Sequence, residues 1–203
     1  MDSYIREMSK DDFEYTCSRH GRFMYYGWPA QQNNHIFDYF PGFFQAQTFD
    51  TVIEIGTSEG GFSHYIYDLS QLHGFKFWTY DVENKLRKEP PFDFRNKSAW
   101  DGEGYEEIVE GITNGGKVLL LVDGGDKIKE FNLYAPFLKS GDFIMTHDYA
   151  PSVEYHETHM KGKIWDWCEN IAADLNVFEN DLLPADLWSD KFINVAWSCW
   201  TKE

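Results

Sequence analysis

With 203 residues, 42% of them hydrophobic and 18% aromatic, the chain is long enough to bury one substantial core and too apolar to be a disordered segment. Its 34 acidic and 18 basic residues leave a net charge of −16, and Lys85 to Lys88, broken by Leu86, is a single short basic run; nucleic acid and anionic membrane are therefore not expected partners. Cys17, Cys168 and Cys199 are odd in number and widely spaced, the N-terminus is charged rather than apolar, and no run approaches the ~20 apolar residues of a membrane span, so a reduced, cytoplasmic protein without disulfides or zinc is expected.

Residues 1–50 lack a strand pattern and read as helices and turns, punctuated by Pro29, Pro41 and Gly42. A clean alternation follows. Thr51 to Ile55 (TVIEI) reads as a strand, followed by a glycine-bearing turn and a helix through Leu69. Phe75 to Tyr80 and Phe92 to Arg95 read as the next two strands, with a helix over Glu103 to Ile112. Val118 to Val122 (VLLLV) is apolar throughout, as in a strand buried on both faces. Residues 127–138 read as a helix, Asp142 to Thr146 as a strand, Ile164 to Leu175 as a helix and Phe192 to Trp200 as a long final strand. Strands alternating with helices predict an α/β domain at 51–203, with a mostly parallel, doubly wound sheet, preceded by an N-terminal helical extension at 1–50. Ligands of such sheets bind beyond the C-terminal ends of the strands.

The residues at those ends carry the candidate chemistry. After the first strand of this alternation comes Glu54-Ile55-Gly56-Thr57-Ser58-Glu59-Gly60-Gly61. Ser58 breaks the dinucleotide pattern GxGxxG, and no Lys-Ser/Thr follows Gly61, so neither a nicotinamide site nor a P-loop is expected. Asp81 ends the next strand, where a carboxylate accepts ribose hydroxyls or simply forms a turn. Asp123-Gly124-Gly125-Asp126 and His147-Asp148 follow two strands expected to be neighbours. Asp123 and Asp148 side by side repel unless a cation, a shared proton or water separates them. A hard divalent ion suits oxygen ligands, with His147 as the weakest member, because alternation along a strand points neighbours to opposite faces.

The stretches VIEIGTSEGGFSHY, FWTYDV and VLLLVDGGDKIKEFNLYAPFLKSGDFIMTHDY resemble class I S-adenosylmethionine-dependent methyltransferases. More narrowly they resemble the group of cephalosporin hydroxylase-like proteins and macrolide sugar O-methyltransferases, as does YYGWPAQQNNHIFDYFPGFFQAQTFDTVIEIG before the first strand of the alternation. The resemblance spans roughly residues 25–150. It implies a seven-stranded Rossmann-like methyltransferase sheet with helices on both faces, S-adenosylmethionine as cofactor, a divalent cation (magnesium or manganese) and a small-molecule or sugar acceptor. By residue it implies that Glu54, Gly56, Thr57, Ser58 and Gly60 frame the methionine and ribose, that Asp81 binds the ribose, that Ser98, Ala99 and Trp100 contact adenine, and that Asp123 lies beside the cofactor. Asp123, His147 and Asp148 fall on its metal-ligand positions. The sequence departs from that group at Asp126, where a histidine base is usual, and at His147, where a carboxylate is frequent. Methyl transfer to a hydroxyl is then expected, with Asp123 and Asp126 as catalytic residues, Asp126 or a nearby histidine taking the proton, and Trp28, Gln31 and Gln32 roofing the acceptor pocket. A homo-oligomer is left open.

Two rivals are weighed. DGGD stands where a nucleic-acid base methyltransferase carries [ND]PP[YFW], which argues against that class. A cofactor-binding protein on a methyltransferase scaffold, with its base lost, stays open because of Asp126.

Overall fold

A computed structural model describes residues 23–203. Cys17 and the N-terminal segment through residue 22 lie outside the described residues.

The first described element is a hairpin of β1 (Phe23–Tyr25) and β2 (Trp28–Ala30). Both turn residues have positive φ (Tyr26 +53°, Gly27 +77°), the twist that a tight two-residue hairpin needs. This corrects the reading of 23–30 as helix or turn: Phe23, Tyr25 and Ala30 alternate inward, a period-2 signal too short to see in the sequence. Helix α1 (Ile36–Ala46) then runs straight through Pro41 and Gly42. An interior proline weakens a helix by about 3 kcal/mol. Here the burial of Ile36, Phe40, Phe43 and Phe44 on one face offsets it.

The alternation that follows is close to the sequence reading. It comprises β3 (Thr51–Ile55), α2 (Gly61–His73), β4 (Lys76–Tyr80), β5 (Asp93–Arg95), α3 (Gly102–Asn114), β6 (Val118–Val122), α4 (Lys127–Tyr134) and β7 (Phe143–Thr146). A 3-10 turn at Ala135–Phe137 finishes the segment after α4. A short β8 (Tyr149–Ala150), a brief α5 (Val153–Tyr155) and a wide π-type turn at His156–Met160 lead to β9 (Asn170–Ile171), which pairs with β8. The chain closes with β10 (Leu182–Pro184), α6 (Asp186–Ile193) and β11 (Trp200–Lys202).

Two predicted elements are therefore corrected. Ile164 to Leu175 is not a helix: Trp165 Nε1 donates to the Asp148 carboxylate, Asn170 Nδ2 donates to the His147 carbonyl at 2.7 Å, and β9 takes ladder bonds from β8. Tertiary partners outbid a helical spacing of apolar residues. Nor is Phe192 to Trp200 a strand throughout. Phe192 ends inside α6, Ala196 turns at φ +59°, and only Trp200 onward pairs with β7 and β10. Phe192, Val195, Trp197 and Cys199 are buried by the fold and not by a strand period.

The main sheet has seven strands in the order β10-β11-β7-β6-β3-β4-β5. The five strands from β7 to β5 run parallel, and β11 inserts antiparallel beside β7. Successive β6 residues sort to opposite faces: Leu119 and Leu121 join one core with α1, α2, α6 and the hairpin, while Val118, Leu120 and Val122 join the other with α3 and α4. The doubly wound, helix-covered sheet is the expected one. Order reverses between β3 and β6, so a cleft opens at their C-terminal ends. Among the described residues no helix is long and apolar enough to cross a membrane.

Candidate active site

Two cavities of about 300 and 380 Å³ lie side by side at that reversal point, and Gly56, Ser58, Asp123 and Gly124 line both. The shared wall depends on glycine. Gly56 has φ +99°, and a Cβ there would meet the Asp123 carbonyl oxygen at 2.1 Å. That carbonyl cannot retreat easily, because Asp123 N donates to Ile55 O at 2.8 Å and Gly56 N to Tyr80 O at 2.8 Å.

The larger cavity holds Asp81, Ser98, Ala99 and Trp100 from the predicted set. Asp81 Oδ2 accepts from Ser58 N at 2.8 Å and Oδ1 from Glu83 N at 3.0 Å, so this carboxylate shapes the turn as well as lining the cavity. Trp100 Nε1 donates to Glu130 Oε1 at 3.1 Å. Glu130, 2% exposed, is a residue the sequence reading missed; burial pushes its carboxyl up, against hydrogen bonds from Trp100 and backbone amides.

The smaller cavity is lined by Gln31, Gln32, Thr57, Lys127, His147, Asp148, Trp165 and Glu169, among others. Thr57 Oγ1 is 2.7 Å from Thr79 Oγ1. Asp123, His147 and Asp148 each offer a ligand atom within 4.8 Å of the others. His147 and Asp148 reach the same side because β7 has ended at Thr146 and Asp148 turns at φ +53°, which cancels strand alternation. His147 Nδ1 lies 3.1 Å from Asp123 Oδ1, and its ring packs 4.9 Å from both Trp165 and Trp197. Gln32, 1% exposed, bridges the floor: it accepts from Trp197 Nε1 at 2.8 Å and donates to Asp123 Oδ2 at 2.6 Å.

Electrostatics bind this cluster. Burial disfavours the His147 imidazolium, but the Asp123 and Asp148 charges outweigh it and raise the group above the ordinary histidine value. Burial likewise works against the Asp148 carboxylate, yet His147, Lys127 and the Trp165 hydrogen bond hold it below the usual range. Lys127 stands in the middle, its ammonium 3.0 Å from Asp148 and 2.8 Å from Glu169. Burial opposes that charge, and the surrounding carboxylates raise it well above an ordinary lysine. Lys127 was legible only as the residue after DGGD; what placed it here is that α4 begins at it.

Four predicted residues sit off the cavities. Asp126 is exposed and caps α4, accepting from Lys129 N at 3.1 Å, so its side chain is engaged as a helix cap and lines neither cavity. Glu54 is buried within β3, with Ser63 Oγ donating to Oε2 at 2.5 Å. Gly60 turns at φ +87°, where a Cβ would meet the Leu86 side chain at 2.6 Å. Trp28 also lines neither cavity and stacks on His64 at 4.7 Å; its neighbour Pro29 contributes to the wall instead.

The parallel sheet, with an antiparallel insertion beside its fifth parallel strand and a cleft at the β3–β6 reversal, is a Rossmann-like architecture. Three solved structures of CmcI have this fold. The apo form matches with a TM-score of 0.65 at 12% identity, covering 97% of this chain and 85% of that one. The form with SAH gives 0.61 at 12% identity over 97% and 93%, and the form with Mg and SAM gives 0.60 at 13% identity over 96% and 85%. At such identity the likeness is one of fold. No family model matches the sequence, and no curated protein matches it.

Proposed function

We propose that this chain is an S-adenosylmethionine-dependent methyltransferase that methylates a hydroxyl of a small molecule or sugar. The observation that carries this reading is the pair of cavities sharing the Gly56–Ser58 and Asp123–Gly124 wall. One is suited to a nucleoside, with Asp81 for ribose hydroxyls and the Ser98–Trp100 loop beside a flat base. The other is small, polar and aromatic, of a size for one acceptor ring. The CmcI structures, solved with SAH and with Mg and SAM on the same fold, support the reading.

In it, Gly56 lets the cofactor approach the backbone, and Asp123 marks where the two cavities meet and the methyl passes. Transfer is an in-line displacement at a sulfonium, so holding the acceptor oxygen against the methyl does most of the work. The Trp165 ring and Gln31 place the acceptor, and the shared wall excludes water between the two reactants. With Asp126 engaged as a helix cap, the proposed proton-accepting role falls to His147, which lines the acceptor cavity with Nδ1 beside Asp123. Two carboxylates and an imidazole are donors of the kind a hard divalent ion takes, and such an ion would lend Lewis acidity to the acceptor oxygen; the Lys127 ammonium already lies 3.0 Å from Asp148, however, and no step of this reading depends on an ion.

The test is calorimetry with S-adenosylhomocysteine, followed by turnover of labelled S-adenosylmethionine across hydroxylated acceptors. Wild type should bind, and Asp81→Ala should bind about 1–3 kcal/mol more weakly through loss of a charged acceptor. No binding of either compound to the folded protein refutes the proposal. Binding without turnover on any acceptor favours the scaffold reading instead.

A further inference from the structure

The acidic cluster of the smaller cavity already contains a positive charge. Lys127 Nζ lies 3.0 Å from Asp148 Oδ2, 3.5 Å from Asp123 Oδ1 and 2.8 Å from Glu169 Oε2, and it donates to the Gly124 carbonyl at 3.1 Å. Its side chain is only 6% exposed. The other carboxylate oxygens are engaged too: Gln32 Nε2 donates to Asp123 Oδ2 at 2.6 Å, and Trp165 Nε1 donates to Asp148 Oδ1. All four oxygens of Asp123 and Asp148 therefore face a protein donor. A divalent ion needs several of the same oxygens in direct contact, and it would arrive within a few ångströms of an ammonium.

We infer that Lys127 is the built-in cation of this site: it holds Asp123 and Asp148 together without a divalent ion and competes with such an ion for their oxygens. The physical logic is a choice between two ways of neutralising one pair of largely enclosed carboxylates. Two like charges at this distance do not both stay ionised without a cation, and His147, 3.1 Å from Asp123 Oδ1 and 3.7 Å from Asp148 Oδ1, meets part of that need. Lys127 supplies one from the first residue of α4, at no cost in recruiting a ligand from solution. A metal can enter only when the ammonium leaves, and the path out is toward Glu169, whose side chain is 51% exposed. Metal occupancy is then set by Lys127 rather than by the donors alone. The inference rests on charge and distance in the cluster and not on the identity of the methyl donor.

The experiment measures Mn²⁺ binding to the whole chain by calorimetry and by the paramagnetic resonance of free Mn²⁺, with no cofactor or acceptor present. Lys127→Met should bind Mn²⁺ more than about tenfold tighter than wild type, because a repelling charge is gone and the oxygens are freed. Lys127→Arg, which keeps the charge, should bind as weakly as wild type. Adding Asp148→Asn to Lys127→Met should remove the gain. The melting temperature of Lys127→Met should rise with Mn²⁺ while that of wild type stays unchanged, so a weakly folded variant still reports. Equal Mn²⁺ affinity in wild type and Lys127→Met overturns the inference, as does wild-type protein that binds Mn²⁺ tightly with Lys127 in place. Since the readout is metal binding, these results are separable from the S-adenosylhomocysteine test above.

Discussion

Glu54 gives the sharpest test of how the central strand is built. It sits in β3 with 1% exposure, and its carboxyl is pushed from 4.5 up to about 8. Burial is the main cause; hydrogen bonds from Ser63 and Thr79 pull the other way, and the Asp123 and Asp81 charges add to the rise. The folded protein thus keeps this proton to about pH 8, while the unfolded chain releases it near 4.5. Between those values the native state binds more protons, so stability falls as pH rises through the window and levels off above it. A shift of that size corresponds to at most about 5 kcal/mol, at about 1.4 kcal/mol per pH unit. Glu54→Gln removes the proton and keeps the shape: its carbonyl oxygen accepts from Ser63, and its amide faces Thr79. Urea denaturation of both proteins from about pH 5 to pH 9 should give a wild-type stability that declines more steeply than the variant's, the difference in favour of glutamine growing by up to about 1.4 kcal/mol per unit. Histidines that titrate in the same range affect both proteins alike and cancel in the comparison. Parallel curves would refute the reasoning and mean that Glu54 is ionised in the native state.

Gly56→Ala should destabilise by about 2–4 kcal/mol in the same assay and abolish S-adenosylhomocysteine binding in calorimetry, because the new Cβ meets the Asp123 carbonyl at 2.1 Å in a left-handed backbone; near-wild-type values for both would show that the two loops can separate. Gln32→Leu should lower stability by about 1–3 kcal/mol, since it strands the buried Trp197 indole N–H and removes a donor from Asp123. A neutral result in urea unfolding would mean that water replaces the amide at both partners.

The sequence by itself determined the parallel half of the sheet. TVIEI and VLLLV carry apolar residues on both faces, which is what strands between two helical layers require, and glycine and aspartate at their ends marked the cleft. Gly56, Asp81, Asp123 and Asp148 were legible for that reason, since strand ends are local features. What lies after residue 150 was not. Ile164 to Leu175 and Phe192 to Trp200 have apolar residues at spacings that suit more than one element, and the choice was made by distant partners: Asp148 and His147 for the first, β7 for the second. The same holds within the site. Asp126 and Lys127 are adjacent in the chain, and the start of α4 between them sends one carboxylate to cap the helix and one ammonium into the acidic cluster. His147 and Asp148 share a side because β7 stops at Thr146 and Asp148 adopts a positive φ. A side chain's direction depends on where an element stops, and stopping points are decided by hydrogen bonds and charges that arrive from elsewhere in the fold.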